Sequence, residues 1–355
     1  MSSAPADLAG VGEVRRPPGR GSNGTGRASL VNPTSRTWAA LLSRLPHDAH
    51  HLPEYAVWDA RRTGAEAVAF LYEEGRSSLL LPLLLTPTGA GCSRDARSPS
   101  GFPGPLASSS DERFWSRAGW ALRGVLEAAQ VVSCLVRFHP FLCPGGDALC
   151  VVGAVVRQGE TRSVELQRAP RSGRQVRGLP GGGRCTVWLD DWAQLPAVAR
   201  LHQQSRAAAG RGSWRYDDFA GLRELLDGSA HLVVLQVDGR AAAAALLLEL
   251  GGSVHLQLGV LSPAAGLPEA RALAGATLRA FRQRGARRFH MAHGSDPLRK
   301  AFAEALPERH PDHTARIVID EDGYDRLART AGTSDHRSLT DAFPSYRPRR
   351  LTLSP

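Results

Sequence analysis

His231-Leu232-Val233-Val234-Leu235-Gln236-Val237, then Asp238-Gly239, then an apolar run from 242 to 250, Gly251-Gly252, and Val254-His255-Leu256-Gln257-Leu258-Gly259-Val260 follow one another without a break. Asp-Gly between two apolar runs is a strong short-range hairpin signal, and Gly-Gly opens a second turn, so the stretch predicts three meandering strands. Upstream, 188–209 carries mainly helical spacing with Pro196 near a start, and 216–226 predicts a second helix stopped by Asp227-Gly228. Downstream, a loop with Pro263 and Pro268 precedes a helix over 269–284, a strand over 288–292, a helix containing Lys300 and a strand at Arg316-Ile317-Val318-Ile319-Asp320. The order is helix, helix, three strands, helix, strand, helix, strand.

The first half is a second mixed unit. A helix over 37–45 stops at Pro46, and strands at 67–72 and 78–84 are joined by Glu-Glu-Gly-Arg as a hairpin. A Gly/Pro/Ser loop covers 87–110, followed by a helix over 112–129 and strands over 131–138 and 149–156. Residues 1–36 and 330–355 are rich in Gly, Pro, Ser and Arg without period and are expected to be disordered. The Gly/Arg-rich segment 168–184 is the expected linker between a first domain at 37–167 and a second at 185–329.

The chain has 355 residues, more than one hydrophobic core usually serves, and its 42% hydrophobic content suffices for two. Cys92, Cys134, Cys143, Cys150 and Cys185 form an odd set without a CxxC pair, which speaks against a disulfide framework and a thiolate zinc site. No apolar run is long enough for a membrane span and no signal-peptide core opens the chain, so a cytoplasmic protein is expected. Net charge is +10, with seven Arg between Arg157 and Arg184 and seven cations between Arg279 and Lys300. Such stretches suit phosphates of a nucleic acid or nucleotide-bearing substrate, or simply a solvated surface.

Lys300 is the only lysine in the chain. Arg and Lys are interchangeable on most surfaces and differ where a compact, titratable ammonium is needed, which marks the position. In Gly294-Ser295-Asp296-Pro297-Leu298-Arg299-Lys300, Ser295 or Asp296 caps a helix whose first residue is Pro297. Backbone donors there would also suit a carboxylate or phosphate, and Asp296 is a candidate proton acceptor for an attacking amine. His255 and Gln257 share one strand face, as pocket lining or as ordinary sheet positions. His290 and His293 lack a third ligand nearby, so no metal is expected.

Together these segments resemble the Fem-type (FemABX-like) aminoacyl transferases and their GNAT-like relatives, from about Pro46 to Leu327. The resemblance is carried by Leu52-Pro53-Glu54-Tyr55, Leu81-Pro82-Leu83-Leu84, Ser98-Pro99-Ser100-Gly101-Phe102-Pro103-Gly104-Pro105-Leu106, Val136-Arg137-Phe138-His139-Pro140, the His255 strand, the Lys300 segment and Arg316 to Asp320 before Tyr324. It implies an α/β (α+β) chain of two tandem GNAT-like acyltransferase domains, with mixed, mostly antiparallel sheets flanked by helices and the second domain catalytic. It also implies that Lys300 stabilises a tetrahedral oxyanion, a role worth about 3 kcal/mol for one donor. Tyr55, Phe102 and Arg137 would line the acceptor cleft, and His255, Gln257, Ser295 and Arg299 would contact substrate. Two positions depart from the family pattern: Arg299 replaces an aromatic residue and Gln257 a frequent histidine.

The implied reaction moves an aminoacyl group from aminoacyl-tRNA, a co-substrate, to an amine or similar nucleophile of a small molecule or peptide, with no resident cofactor. The Arg279 to Lys300 stretch would meet acceptor-stem phosphates. An acetyl-CoA dependent N-acyltransferase is the alternative. It is disfavoured by Leu261-Ser262-Pro263-Ala264-Ala265-Gly266-Leu267-Pro268, which lacks paired glycines and loses a donor at Pro268. A catalytically silent ligand-binding relative is the remaining reading.

Overall fold

The computed structural model describes residues 26–143, 145–167, 184–208, 214–292, 296–333 and 343–347. The chain begins with β1 (Arg27–Val31) and α1 (Arg36–Leu42), and a short 3₁₀ turn (Ala49–His51) leads into α2 (Pro53–Thr63). Pro53 opens α2 where its missing N–H costs nothing, and Gly64 closes it at φ 67°, a conformation that suits glycine. Next come the hairpin β2 (Glu66–Glu74) and β3 (Ser77–Pro87), the short strands β4 (Arg94–Arg97) and β5 (Leu106–Ala107), α3 (Glu112–Ala128), β6 (Val131–Arg137) and β7 (Ala154–Glu165).

The second half contains β8 (Cys185–Leu189), α4 (Leu195–Ala208), α5 (Tyr216–Leu225), the meander β9 (Ala230–Val237), β10 (Arg240–Leu250) and β11 (Ser253–Leu261), then α6 (Leu267–Gln283), β12 (Arg288–Ala292), α7 (Pro297–Ala305), β13 (Glu308–Val318) and α8 (Glu321–Thr330). One mostly antiparallel sheet runs β1-β2-β3-β4-β6-β13-β7-β12-β11-β10-β9-β8, with β5 paired to β3; among the described residues only β4–β6 and β11–β12 are parallel.

The two halves exchange strands. β7, from before the segment 168–183, lies between β12 and β13, while β13, from the far end of the chain, lies between β6 and β7. Neither half therefore completes its sheet alone. Helices bury both faces: on one, Trp115, Leu122 and Leu126 of α3 pack on Phe70, Leu81 and Leu83, and Leu273 and Phe281 of α6 on Leu235, Leu247 and Leu256; on the other, Trp58 of α2 and Phe219 and Leu222 of α5 pack on Leu232, Val234 and Leu246. Each such side chain contributes about 1.5–3 kcal/mol when taken out of water.

Several expectations need correction. Residues 27–31, placed in a disordered segment by composition, form an edge strand because Leu30 enters the core beneath α3. Phe343 and Tyr346 of the expected disordered tail pack on Tyr324, since two aromatics bury enough surface to fix a short segment. Residues 1–25 and most of the expected linker lie outside the described residues. The strand expected over 149–156 starts at Ala154, after a 3₁₀ turn (Gly146–Val151); Gly153 lies so close to the Arg316 carbonyl that a Cβ would meet it at 2.4 Å. Trp188-Leu189, read as the start of a helix, belongs to β8, and α2 has no counterpart among the sequence expectations.

Candidate active site

β11 and β12 run parallel and pair only from Ser253/Arg288 to His255/His290. Beyond that point their ladder ends. On its other side β11 carries a bulge: Leu246 faces Leu258 and Leu247 faces Leu256, leaving Gln257 as the extra residue. A bulge bends its strand and re-aims side chains, here at the place where the sheet opens. The opening is a cleft of about 340 Å³, closed from the first half by Gly101, Phe102 and Arg137 and from β13 by Asp312 and Thr314.

Of the residues expected to act, Phe102, Arg137, His255, Gln257 and Arg299 line this cleft. Tyr55 stands one layer behind, accepting a hydrogen bond from Gln257 Nε2 (3.1 Å) and donating to the Ser100 carbonyl (2.8 Å). Asp296 caps α7, accepting from the Arg299 amide at 2.9 Å, and its carboxylate lies 3.4 Å from Arg299 Nε. Lys300 is exposed and is not among the cleft-lining residues, whereas Arg299 is 8% exposed and donates from Nη1 to the Ala292 carbonyl. A helix turns 100° per residue, so only one of two consecutive side chains can face the cleft. Ser295, with His293 and Gly294, lies outside the described residues.

Behind the cleft is a buried polar network. Asp48 caps the 3₁₀ turn; its carboxylate receives the His50 amide (3.0 Å), His51 Nδ1 (2.8 Å), His139 Nε2 (2.9 Å) and His50 Nδ1 (3.2 Å). Burial alone would raise this carboxyl, but His50, His139 and His51 outweigh it and hold it well below the usual carboxylate range. His50 Nε2 reaches Gln257 Oε1 at 3.2 Å. Because the Tyr55 hydroxyl is committed to Ser100, Gln257 must donate to Tyr55 and present its oxygen to His50. Both ring nitrogens of His50 thus face side-chain oxygens, of Asp48 and Gln257.

His255 touches His50, His290 and Phe102, with ring centroids at 4.7, 4.9 and 5.4 Å. Its Nδ1 lies 3.4 Å from His290 Nδ1, and His290 Nε2 lies 3.1 Å from Ser253 Oγ. Burial, reinforced by neighbouring imidazoles, holds both rings well below the usual histidine value, so both are neutral near pH 7. Burial raises the Asp312 carboxyl in the cleft, against the opposing hydrogen bond from Thr161 Oγ1. The sequence reading missed Asp48, His50, His139 and Asp312. The Asp48-Ala49-His50-His51 run was the available signal.

Asp48, His139 and His290 bring ligand-type atoms within 4.8 Å of one another. The trio does not fit a metal: His139 Nδ1 accepts the Phe141 amide at 3.1 Å, which puts the proton on Nε2, the atom that would have to offer a lone pair. The N-terminus of α6 is likewise occupied, since the Gly266 amide donates to Glu269 Oε2 at 2.7 Å.

The fold is mixed α/β, with one large, mostly antiparallel sheet flanked by helices. Among solved structures the chain is similar to FemX, at 12% identity and a TM-score of 0.59, covering 84% of this chain and 99% of FemX. It is also similar to the C-terminal domain (DUF2156) of a putative lysylphosphatidylglycerol synthetase from Agrobacterium fabrum, at 16% identity and a TM-score of 0.52, covering 83% and 94%. At these identities the likeness is one of fold. No protein-family profile and no curated protein matches the chain. Among the described residues no helix is long and apolar enough to cross a membrane.

Proposed function

We propose that the protein is an acyltransferase that moves an aminoacyl group from aminoacyl-tRNA to an amine of a small molecule or peptide. The observation that carries the reading is the cleft where β11 and β12 part, with guanidinium, carboxyl and neutral imidazole groups facing one space. The ester carbonyl of the donor would lie beside Arg299, whose charge opposes the negative oxygen of the tetrahedral intermediate. Asp312 would hold the incoming amine. His255 would take its proton as the C–N bond forms, and the C–O bond to the tRNA breaks with a proton going to the departing ribose oxygen.

His290 and Ser253 extend the imidazole along the same face of the sheet toward a second cavity, which Ser253 lines with Asp48 and His139. With His255 donating from Nδ1 to His290 and His290 donating from Nε2 to Ser253, the cleft nitrogen of His255 is left bare to accept a proton. One proton passed along the row gives the reverse arrangement, and the row would hold the amine proton until His255 returns it to the departing ribose oxygen.

A coenzyme A donor is disfavoured by Glu269. A pyrophosphate at the start of α6 would meet a carboxylate already taking the Gly266 amide, and Pro268 supplies no donor. The test is incubation with a pool of labelled aminoacyl-tRNAs and, in parallel, labelled acetyl-CoA, with a cell extract as acceptor. Label leaving tRNA for a small product supports the reading. Transfer from acetyl-CoA alone overturns the donor, and transfer from neither, with acceptor present, turns the reading toward a silent binding protein.

A further inference from the structure

Arg137 belongs to two cavities. Besides the cleft it lines a smaller one, of about 150 Å³, between the end of α2, the strands β4 and β6 and the segment 343–347. Arg62, Arg97 and Arg347 line the same cavity. Their side chains are 14%, 24% and 16% exposed, so these are built-in groups rather than solvated surface arginines.

The charges there do not balance. Asp59, fully buried, takes Arg62 Nη2 at 2.7 Å and Arg97 Nη1 at 3.4 Å, together with the Ser100 amide and hydroxyl at 2.8 and 3.0 Å. Asp95 takes Arg347 Nε at 2.7 Å, Ser133 Oγ at 2.8 Å and the Tyr346 hydroxyl. Three guanidinium groups, of Arg62, Arg97 and Arg347, thus share two carboxylates, both already filled with donors. Arg62 Nη1, Arg97 Nε and Arg347 Nη1 make no hydrogen bond with the described residues. Burial, and the like charge of Arg97, weaken the protonated form of Arg137 against the opposing charges of Asp59 and Asp312.

The geometry points to an oxyanion site, taking a carboxylate or phosphate group among Arg62, Arg97, Arg137 and Arg347. Guanidinium forks match both groups in bidentate fashion, and the volume admits one such group but not a nucleotide. Because Arg137 also faces the cleft, the anion belongs to the acceptor, which carries its amine in the cleft and its charged group in this cavity. That last assignment rests on the acyl-transfer reading; the anion site itself does not. The segment 343–347 supplies Arg347 and the Phe343 wall, giving the end of the chain a part in the site.

The test is calorimetric titration of the full chain with inorganic phosphate and with acetate, each against chloride at equal ionic strength, without donor or acceptor. Saturable binding of at least one anion is expected, weakened about tenfold or more in Arg347→Gln, the loss of one charge-assisted contact. Arg97→Gln is the second variant, with melting curves of both checking the fold. Phosphate binding alone would indicate a phosphorylated acceptor, and acetate binding alone an acceptor carboxylate. No saturation beyond chloride, or affinities unchanged in both folded variants, would overturn the site. A failed transfer assay leaves this measurement untouched.

Discussion

His50 and Gln257, 207 residues apart in sequence, meet at 3.2 Å through Nε2 and Oε1, joining the turn before α2 to the bulge of β11. The contact ties the Asp48 network to the wall of the cleft, so the network's state and the cleft's shape are linked.

Asp48→Ala removes the carboxylate that three imidazoles share and leaves their N–H groups buried without an acceptor. Breaking a buried pair from one side costs about 3–5 kcal/mol. The loss is read as a lower urea midpoint at unchanged slope. A change within about 0.5 kcal/mol, the range of ordinary surface substitutions, would contradict the network's structural role.

Stability depends on pH in two windows. His139, His255 and His290 are all held below the usual imidazole value, burial being the main cause, while the unfolded chain regains a value of about 6.5. The unfolded state therefore binds more protons below that pH, and stability falls as the pH drops from about 6.5. The Asp48 contribution is present above about 3.9 and disappears as the pH falls through its depressed folded value. Melting curves from pH 8 to pH 5 check the first window, and a flat Tm across that range would refute it.

Gly101 sits at φ +85° with its Cα so close to His50 that a Cβ would fall 2.4 Å from the ring. Gly101→Ala thus combines backbone strain with a clash against a ring held on both sides. A loss of about 1–3 kcal/mol is expected from each source, with the cleft disturbed as well. Retained stability and retained binding would show that His50 can move.

His290→Gln keeps a polar side chain beside Ser253 but cannot relay a proton through a ring. If His255 hands its proton onward, turnover falls and its pH dependence shifts, while the KM for the donor stays within about twofold. An unchanged pH profile would assign His290 to packing alone.

Much of the fold is legible in the sequence. Asp238-Gly239 and Gly251-Gly252 mark the meander, Pro297 marks the start of α7, and the β2–β3 hairpin follows from Glu-Glu-Gly-Arg. The strand exchange is not, because β7 and β13 carry no local mark of which half they complete. The site is legible where one element carries it, as with His255 and Gln257. It is hidden where distant segments converge, as with Asp48, His139 and Asp312. The choice between Arg299 and Lys300 depends on the rotation of α7, which short apolar spacing leaves open by about one residue.

The most direct measurement compares transfer by Arg299→Ala and Lys300→Ala with the wild type, using the aminoacyl-tRNA donor found in the pooled assay. The account predicts that Arg299→Ala lowers kcat about a hundredfold or more, the cost of losing one oxyanion contact, while Lys300→Ala stays within a few-fold. The reverse pattern, with Lys300 essential and Arg299 dispensable, would contradict the placement of the reaction in the cleft between β11 and β12.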